Sequence, residues 1–281
     1  MIKEFQTGGQ QFIQLENSHY EVLISAYGAQ VLALQPKNDS ADWLWLSEQS
    51  PIIQGKAVRG GIPICWPNFG KDSGGKLPKH GFARLQNWRF KGEQESEREQ
   101  SVAVSFILRD NAFSRQYWSY AFELEMAIRL TTAGLECELT TTNKDVVPFQ
   151  YNEAFHPYFH VSNIKNIRVH GLDGCAYTVE ESGETGIWRD DLSCDAMHDN
   201  TFFNIENSLR LEDSGWSRSL MLDKSGASDW VMWNPHAQGA REIADMADDS
   251  YQSMICLEPA TIERKELLPG ESATMRMVLR I

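Results

Sequence analysis

The chain has 281 residues, 42% hydrophobic and 23% charged, a globular composition that argues against disorder. Its formal net charge of −13 argues against a general nucleic-acid binder or a ligand of anionic membranes, since a negative long-range field repels both. No run approaches the roughly 20 apolar residues of a membrane span, and five scattered cysteines (Cys65, Cys137, Cys175, Cys194 and Cys256) form no C-x-x-C pair and read as reduced thiols.

The N-terminal Met1-Ile2-Lys3-Glu4-Phe5-Gln6 leads into no apolar h-region, so no signal peptide is expected and the cytoplasm is the expected compartment. Tyr20–Ser25 and Gln30–Leu34 flank Gly28, which suits a turn between strands. Ser101–Leu108 alternates apolar and polar residues at period two. Residues 110–120 read as a short helix or an irregular crossover. Phe122–Leu130 and Leu135–Thr140 alternate again across Ala133-Gly134 and predict a hairpin. Trp230–Trp233, Met254–Leu257 and Ala273–Leu279 are further predicted strands. The most polar stretches, 92–100 and 180–200, read as surface loops, and no segment carries a convincing helical period. Many strands separated by turn signals predict an all-β fold, two packed antiparallel sheets forming a large β-sandwich, as one domain over 1–281.

Four segments carry side chains unusual for pure structure. In Val58–Gly70, Gly60-Gly61 and two prolines impose an irregular backbone, and Arg59 brings a fork of five donors; a turn with a surface arginine is the plain alternative. In Leu77–Arg84, His80 could donate to a sugar hydroxyl and Arg84 could pair with an anion, against the alternative of a satisfied loop histidine and a solvated arginine. Phe155–His160 holds two histidines among aromatics. On a regular strand positions 156 and 160 share a face, but Pro157 interrupts such a strand. No third and fourth ligand stands at a recognisable spacing, so no metal is expected; a hydrogen-bonded core histidine is the alternative to an acid–base residue. In Met254–Ala260, Glu258 ends an apolar run just before Pro259, where a carboxylate is costly unless paired or used; a strand-end glutamate facing water is the alternative. There is no G-x-S-x-G, no dinucleotide-binding G-x-G-x-x-G and no P-loop. A histidine, a carboxylate and two arginines without a nucleophile motif suit a reaction that needs only proton transfers.

Arg59-Gly60-Gly61-Ile62-Pro63 followed by Cys65-Trp66-Pro67, then His80-Gly81-Phe82-Ala83-Arg84, His156-Pro157-Tyr158-Phe159, Trp233-Asn234-Pro235, Asp245-Met246, Asp248-Asp249 and Cys256-Leu257-Glu258 occur in that order along nearly the whole chain. This pattern resembles the aldose 1-epimerase (galactose mutarotase-like) superfamily and, within it, the glucose-6-phosphate 1-epimerase branch. The resemblance implies a β-sandwich whose concave face holds the sugar. By motif position it implies His156 as general acid and Glu258 as general base. Arg59 and His80 would bind substrate, Arg84 would contact the phosphate, and a substrate-binding aspartate falls at Asp199. The chain departs from the pattern beside Asp199: Asn200 stands where the branch carries arginine, which takes a positive charge from the expected phosphate grip.

The implied chemistry suits these residue types. A carboxylate takes the proton of the C1 hydroxyl while an acid protonates the ring oxygen, the open chain rotates about C1–C2, and the ring recloses on the other face. That sequence calls for no cofactor, and the expected partner is a small-molecule sugar phosphate, with no nucleic acid and no membrane. Two other readings compete: an epimerase of unphosphorylated aldoses, against which the Arg59/Arg84 pair argues, and a non-catalytic carbohydrate-binding β-sandwich, which would have no use for an acid–base pair.

Overall fold

A computed structural model describes residues 1–96, 101–180, 182–190 and 193–281. Its strands form three antiparallel sheets. The first is a meander of Ile2–Thr7, Gln10–Glu16, Tyr20–Ser25 and Gln30–Pro36. The second runs Thr185–Ile187, Ala176–Val179, His198–Phe202, Asp229–Asn234, Met254–Leu267, Phe149–Phe155 and Ile64–Cys65, with Tyr158–His160 also paired to Met254–Leu267. The third runs Ile167–His170, Leu209–Asp213, Arg218–Ser225, Ser272–Arg280, Gly134–Asn143, Phe122–Thr131, Ser101–Arg109 and Arg89–Ser96.

Period-two patterning explains the third sheet. Phe122, Leu124, Met126, Ile128 and Leu130 are fully buried, while the residues between them face outward. The Phe122–Thr131 strand meets Gly134–Asn143 across a tight turn, the hairpin expected from the alternation. Phe155, Phe159, Phe202, Trp230, Met232, Ile255 and Leu257 of the second sheet join the same apolar cluster from the opposite side. The other face of the second sheet is therefore left to form a cleft.

Several local expectations need correction. Residues 92–96 belong to the Arg89–Ser96 strand rather than a loop, because an antiparallel ladder to Ser101–Arg109 satisfies their backbone whatever their polarity; residues 97–100 lie outside the described residues. The 180–200 stretch contains the Thr185–Ile187 strand and enters the next at His198, with Trp188 buried; residues 181, 191 and 192 lie outside the described residues. A helix, His236–Glu242, follows Pro235; its seven residues are too few for a helical period to register in sequence. Residues 110–120 form an irregular crossover with a 3₁₀ turn at Ser114–Gln116, where the Asn111 Oδ1 accepts the N–H groups of Phe113 and Ser114. Among the described residues no helix is long and apolar enough to cross a membrane.

Candidate active site

The cleft sits on the second sheet and encloses about 660 Å³. Strand register builds its floor as two rows. Asp199 pairs with Trp233, Trp233 with Cys256, and Cys256 with Tyr158. In the adjacent row Thr201 pairs with Val231 and Val231 with Glu258. Because side chains alternate along each strand, Asp199 and Thr201, Val231 and Trp233, and Cys256 and Glu258 share one face. Asn200 therefore points the other way. It is buried, with its amide 3.2 Å from the Nδ1 of His198, whose ring packs edge-on against Trp188. Asn200 is not among the residues that line the cleft.

Glu258 is not a strand-end residue, as the following proline suggested. The Met254–Leu267 strand continues for fourteen residues. Pro259 is accommodated where pairing to Phe149–Phe155 gives way to pairing with Tyr158–His160, opposite the break made by His156-Pro157. That break separates the two histidines. His156 enters the cleft, whereas His160 packs against Trp216, with ring centroids 4.9 Å apart.

His156 is 6% exposed and Glu258 1%, and the His156 Nε2 lies 3.3 Å from the Glu258 Oε1. Burial, reinforced by Arg84 and Arg59, pushes the His156 pKa well below its ordinary value. Burial, reinforced by Asp199, pushes the Glu258 pKa well above the usual carboxylate range. The His156 ring stacks on Tyr158 at 4.8 Å between centroids, and the backbone N–H of His156 donates to the Pro63 carbonyl. Among the described residues the His156 Nδ1 and Glu258 Oε2 have no hydrogen-bond partner.

His80 reaches the same cleft with its ring 5.6 Å from that of His156. Its Nδ1 accepts the Gly70 N–H at 3.3 Å, which assigns the proton of the neutral ring to Nε2 as a donor. Burial, and next to it Arg84, holds His80 neutral by driving its pKa well below the usual range. His80 itself lies in left-handed backbone at φ +62°, and the following Gly81 at φ +71° runs so close to Trp66 that a Cβ would stand 2.0 Å from its carbonyl oxygen.

The two arginines differ. Arg59 donates from Nε to the Asp245 Oδ1 at 2.7 Å and from Nη1 to the Tyr158 hydroxyl at 3.3 Å, so its charge is compensated. Gly61 holds that loop against the strand core: a Cβ there would stand 2.1 Å from the Val31 carbonyl oxygen. Arg84 donates to the Lys79 carbonyl, and among the described residues no carboxylate pairs with it. Lys71 and Lys79 also line the cleft, so cations gather at its mouth despite the net charge of −13.

Sequence reasoning did not assign roles to Asp245, Trp233, Phe69, Lys71 or Lys79. Lys79 stands next to His80 in a motif already singled out, which is a legible signal; Phe69 and Lys71 reach the cleft only through the loop's fold. The metal expectation also looks different in three dimensions. Cys256, two residues before Glu258 on the same face, brings a third donor, and donor atoms of His156, Cys256 and Glu258 all lie within 4.8 Å of one another.

The family described as aldose 1-epimerase matches residues 11–280. A candidate glucose-6-phosphate 1-epimerase from Cenchrus ciliaris is 33% identical over 269 residues, covering 91% of this chain and 80% of the relative. One of the same name from Escherichia coli K12 is 28% identical over 271 residues, covering 96% and 90%. The crystal structure of a candidate mutarotase from Salmonella typhimurium superimposes with a TM-score of 0.87 at 25% identity, covering 99% of this chain and 93% of that one.

Proposed function

The chain belongs to the aldose 1-epimerase family, and from that premise we propose that it interconverts the α and β anomers of a hexose 6-phosphate, with His156 and Glu258 as its acid–base pair. The observation that carries the reading is the closeness of these two buried groups on the floor of a cleft of sugar size. Burial drives their pKa values in opposite directions, so that over a broad pH range the pair holds a single proton. At rest that proton lies on Glu258 beside a neutral His156; its passage to the His156 Nε2, 3.3 Å away, leaves Glu258 a carboxylate able to take the C1 hydroxyl proton. As the C1–ring oxygen bond breaks and the C1 carbonyl forms, His156 gives its proton to the departing oxygen. Rotation about C1–C2 and the reverse transfers close the other anomer and restore the pair. The protein ends as it began, and the cycle consumes no cofactor.

Asp199 and the His80 Nε2–H are suited to sugar hydroxyls, Trp233 and Phe69 to the apolar face of the ring. The uncompensated Arg84, with Lys71 and Lys79, favours a phosphate at the cleft mouth over a free hexose. The free cysteines fit the reducing cytoplasm as the compartment, and the reading treats 1–281 as one functional unit. Anomer exchange of glucose, galactose and their 6-phosphates, followed by polarimetry or NMR, tests the proposal. Rapid exchange of a 6-phosphate is expected; faster turnover of the free sugars would move the activity to unphosphorylated aldoses, and binding without turnover would leave a carbohydrate-binding module.

A further inference from the structure

We infer that the floor of the cleft is a capture site for a thiophilic divalent cation of the zinc type, held by His156 Nε2, Glu258 Oε1 and Cys256 Sγ, and that its occupancy blocks the acid–base pair. The donor set carries the argument. Imidazole, carboxylate and thiolate are the three ligand types zinc takes, and three protein ligands with a fourth position open to solvent are the usual arrangement at an accessible site. Bond lengths of about 2.0–2.3 Å in a tetrahedron require ligand atoms roughly 3.3–3.8 Å apart. The His156 Nε2 and Glu258 Oε1 already stand 3.3 Å apart, and one donor atom from each of His156, Cys256 and Glu258 lies within 4.8 Å of the other two. The Cys256 backbone is fixed between Tyr158 and Trp233, so the remaining gap is left to side-chain rotation.

Charge favours capture as well. The site is buried, so any net charge is penalised. A dication with one thiolate, one carboxylate and a neutral imidazole sums to zero. Binding releases to solvent the thiol proton of Cys256 and the proton shared by His156 and Glu258, and nothing is oxidised or reduced. The cleft opens onto His156 and Glu258, which gives the ion its path in. Cys256 has no part in the proposed proton transfers, so its thiol can be removed without touching them.

Binding of the ion does not rest on the proposed reaction, although inhibition does; the two are therefore read separately. Cobalt(II), titrated into the protein without substrate, should give the near-ultraviolet charge-transfer band of a cobalt–thiolate bond. Cys256→Ala should lose that band, and Cys256→Ser serves if the alanine variant fails to fold. Cys65→Ala should keep the band; Cys65 is the other buried thiol in electrostatic reach of Cys256. Zinc should inhibit anomer exchange by the wild type. Cys256→Ala should retain exchange and need at least about ten times more zinc for the same inhibition, since even an outer partner of a metal ligand costs that much when lost. A cobalt complex without the thiolate band, a band that survives in Cys256→Ala and Cys256→Ser, or unchanged zinc sensitivity in the folded variants would overturn the assignment.

Discussion

The imidazole of His156 and the carboxyl of Glu258 face each other across 3.3 Å in a place almost closed to solvent, and neither is locked by a stronger partner among the described residues. Burial makes the doubly charged state costly and closeness makes the passage of one proton between them easy. A pair so arranged is poised to exchange roles, which is what opening and reclosing a hemiacetal demands.

Glu258→Gln should therefore abolish anomer exchange while the protein remains folded. The amide keeps the volume but cannot take a proton, and the expected loss is at least the ~10²–10⁴-fold typical of a general acid–base group. Stability should not fall at neutral pH. A carboxyl whose pKa is raised on folding weakens the folded state as pH climbs above the unfolded value, and the variant removes that term. Steady-state rates beside a thermal melt check both halves; a folded variant with near-normal rate would move the base elsewhere.

The two histidines should separate kinetically. His156→Asn should lower kcat heavily, because it removes the partner of Glu258, whereas His80→Asn should mainly raise KM, because His80 offers a hydrogen-bond donor from the cleft wall. Rates over a range of substrate concentrations decide it, and the opposite pattern would exchange their roles.

Arg84→Ala should raise KM for a hexose 6-phosphate about ten- to a hundredfold, the equivalent of the ~1.5–3 kcal/mol of a hydrogen bond to a charged group. Exchange of the free hexose should change much less. Arg59→Ala should impair both substrates, because Arg59 is tied to Asp245 and holds the hydroxyl of Tyr158, on which His156 stacks. Equal losses toward free and phosphorylated sugar in Arg84→Ala would make Arg84 a ring-binding or structural residue.

Gly81→Ala should destabilise the protein by more than the ~1–2 kcal/mol that left-handed backbone alone costs an alanine, since its Cβ would also collide with the Trp66 carbonyl. Exchange should fall with it, because His80 is the neighbouring residue. Denaturant midpoints and rates measured together test the link; an unperturbed variant would show that this loop adjusts freely.

A pH-dependent effect is expected outside the cleft. Burial raises the Glu153 pKa from 4.5 to about 7, with Lys265 at 3.5 Å opposing the shift. Between those values the folded protein holds a proton that the unfolded chain releases, so Glu153 costs stability progressively as pH rises through the interval. Relative to wild type, Glu153→Gln should gain on the order of 3 kcal/mol across it. Unfolding free energies of both proteins on either side of the interval check this; a pH-independent difference would mean that Lys265 keeps Glu153 ionised throughout.

Local periodicity was enough to mark four of the eight strands of the third sheet, Ser101–Arg109, Phe122–Thr131, Gly134–Asn143 and Ser272–Arg280; Phe122, Leu124, Met126, Ile128 and Leu130, for example, can be buried together only at period two. Residue type within short motifs likewise marked His156, Glu258, Arg59, His80 and Arg84, the family resemblance added Asp199, and all six line one cleft. What the tertiary structure alone decided is how they differ. Arg59 is neutralised by Asp245, 186 residues away, while Arg84 keeps its charge; Asn200 turns to the core while Asp199 beside it turns to the cleft; Cys256 joins His156 through strand pairing. Sequence spacing reports which neighbours share a strand face, but register between strands and the closing of long loops set which distant groups meet, and those meetings fix the charge and the protons of the site.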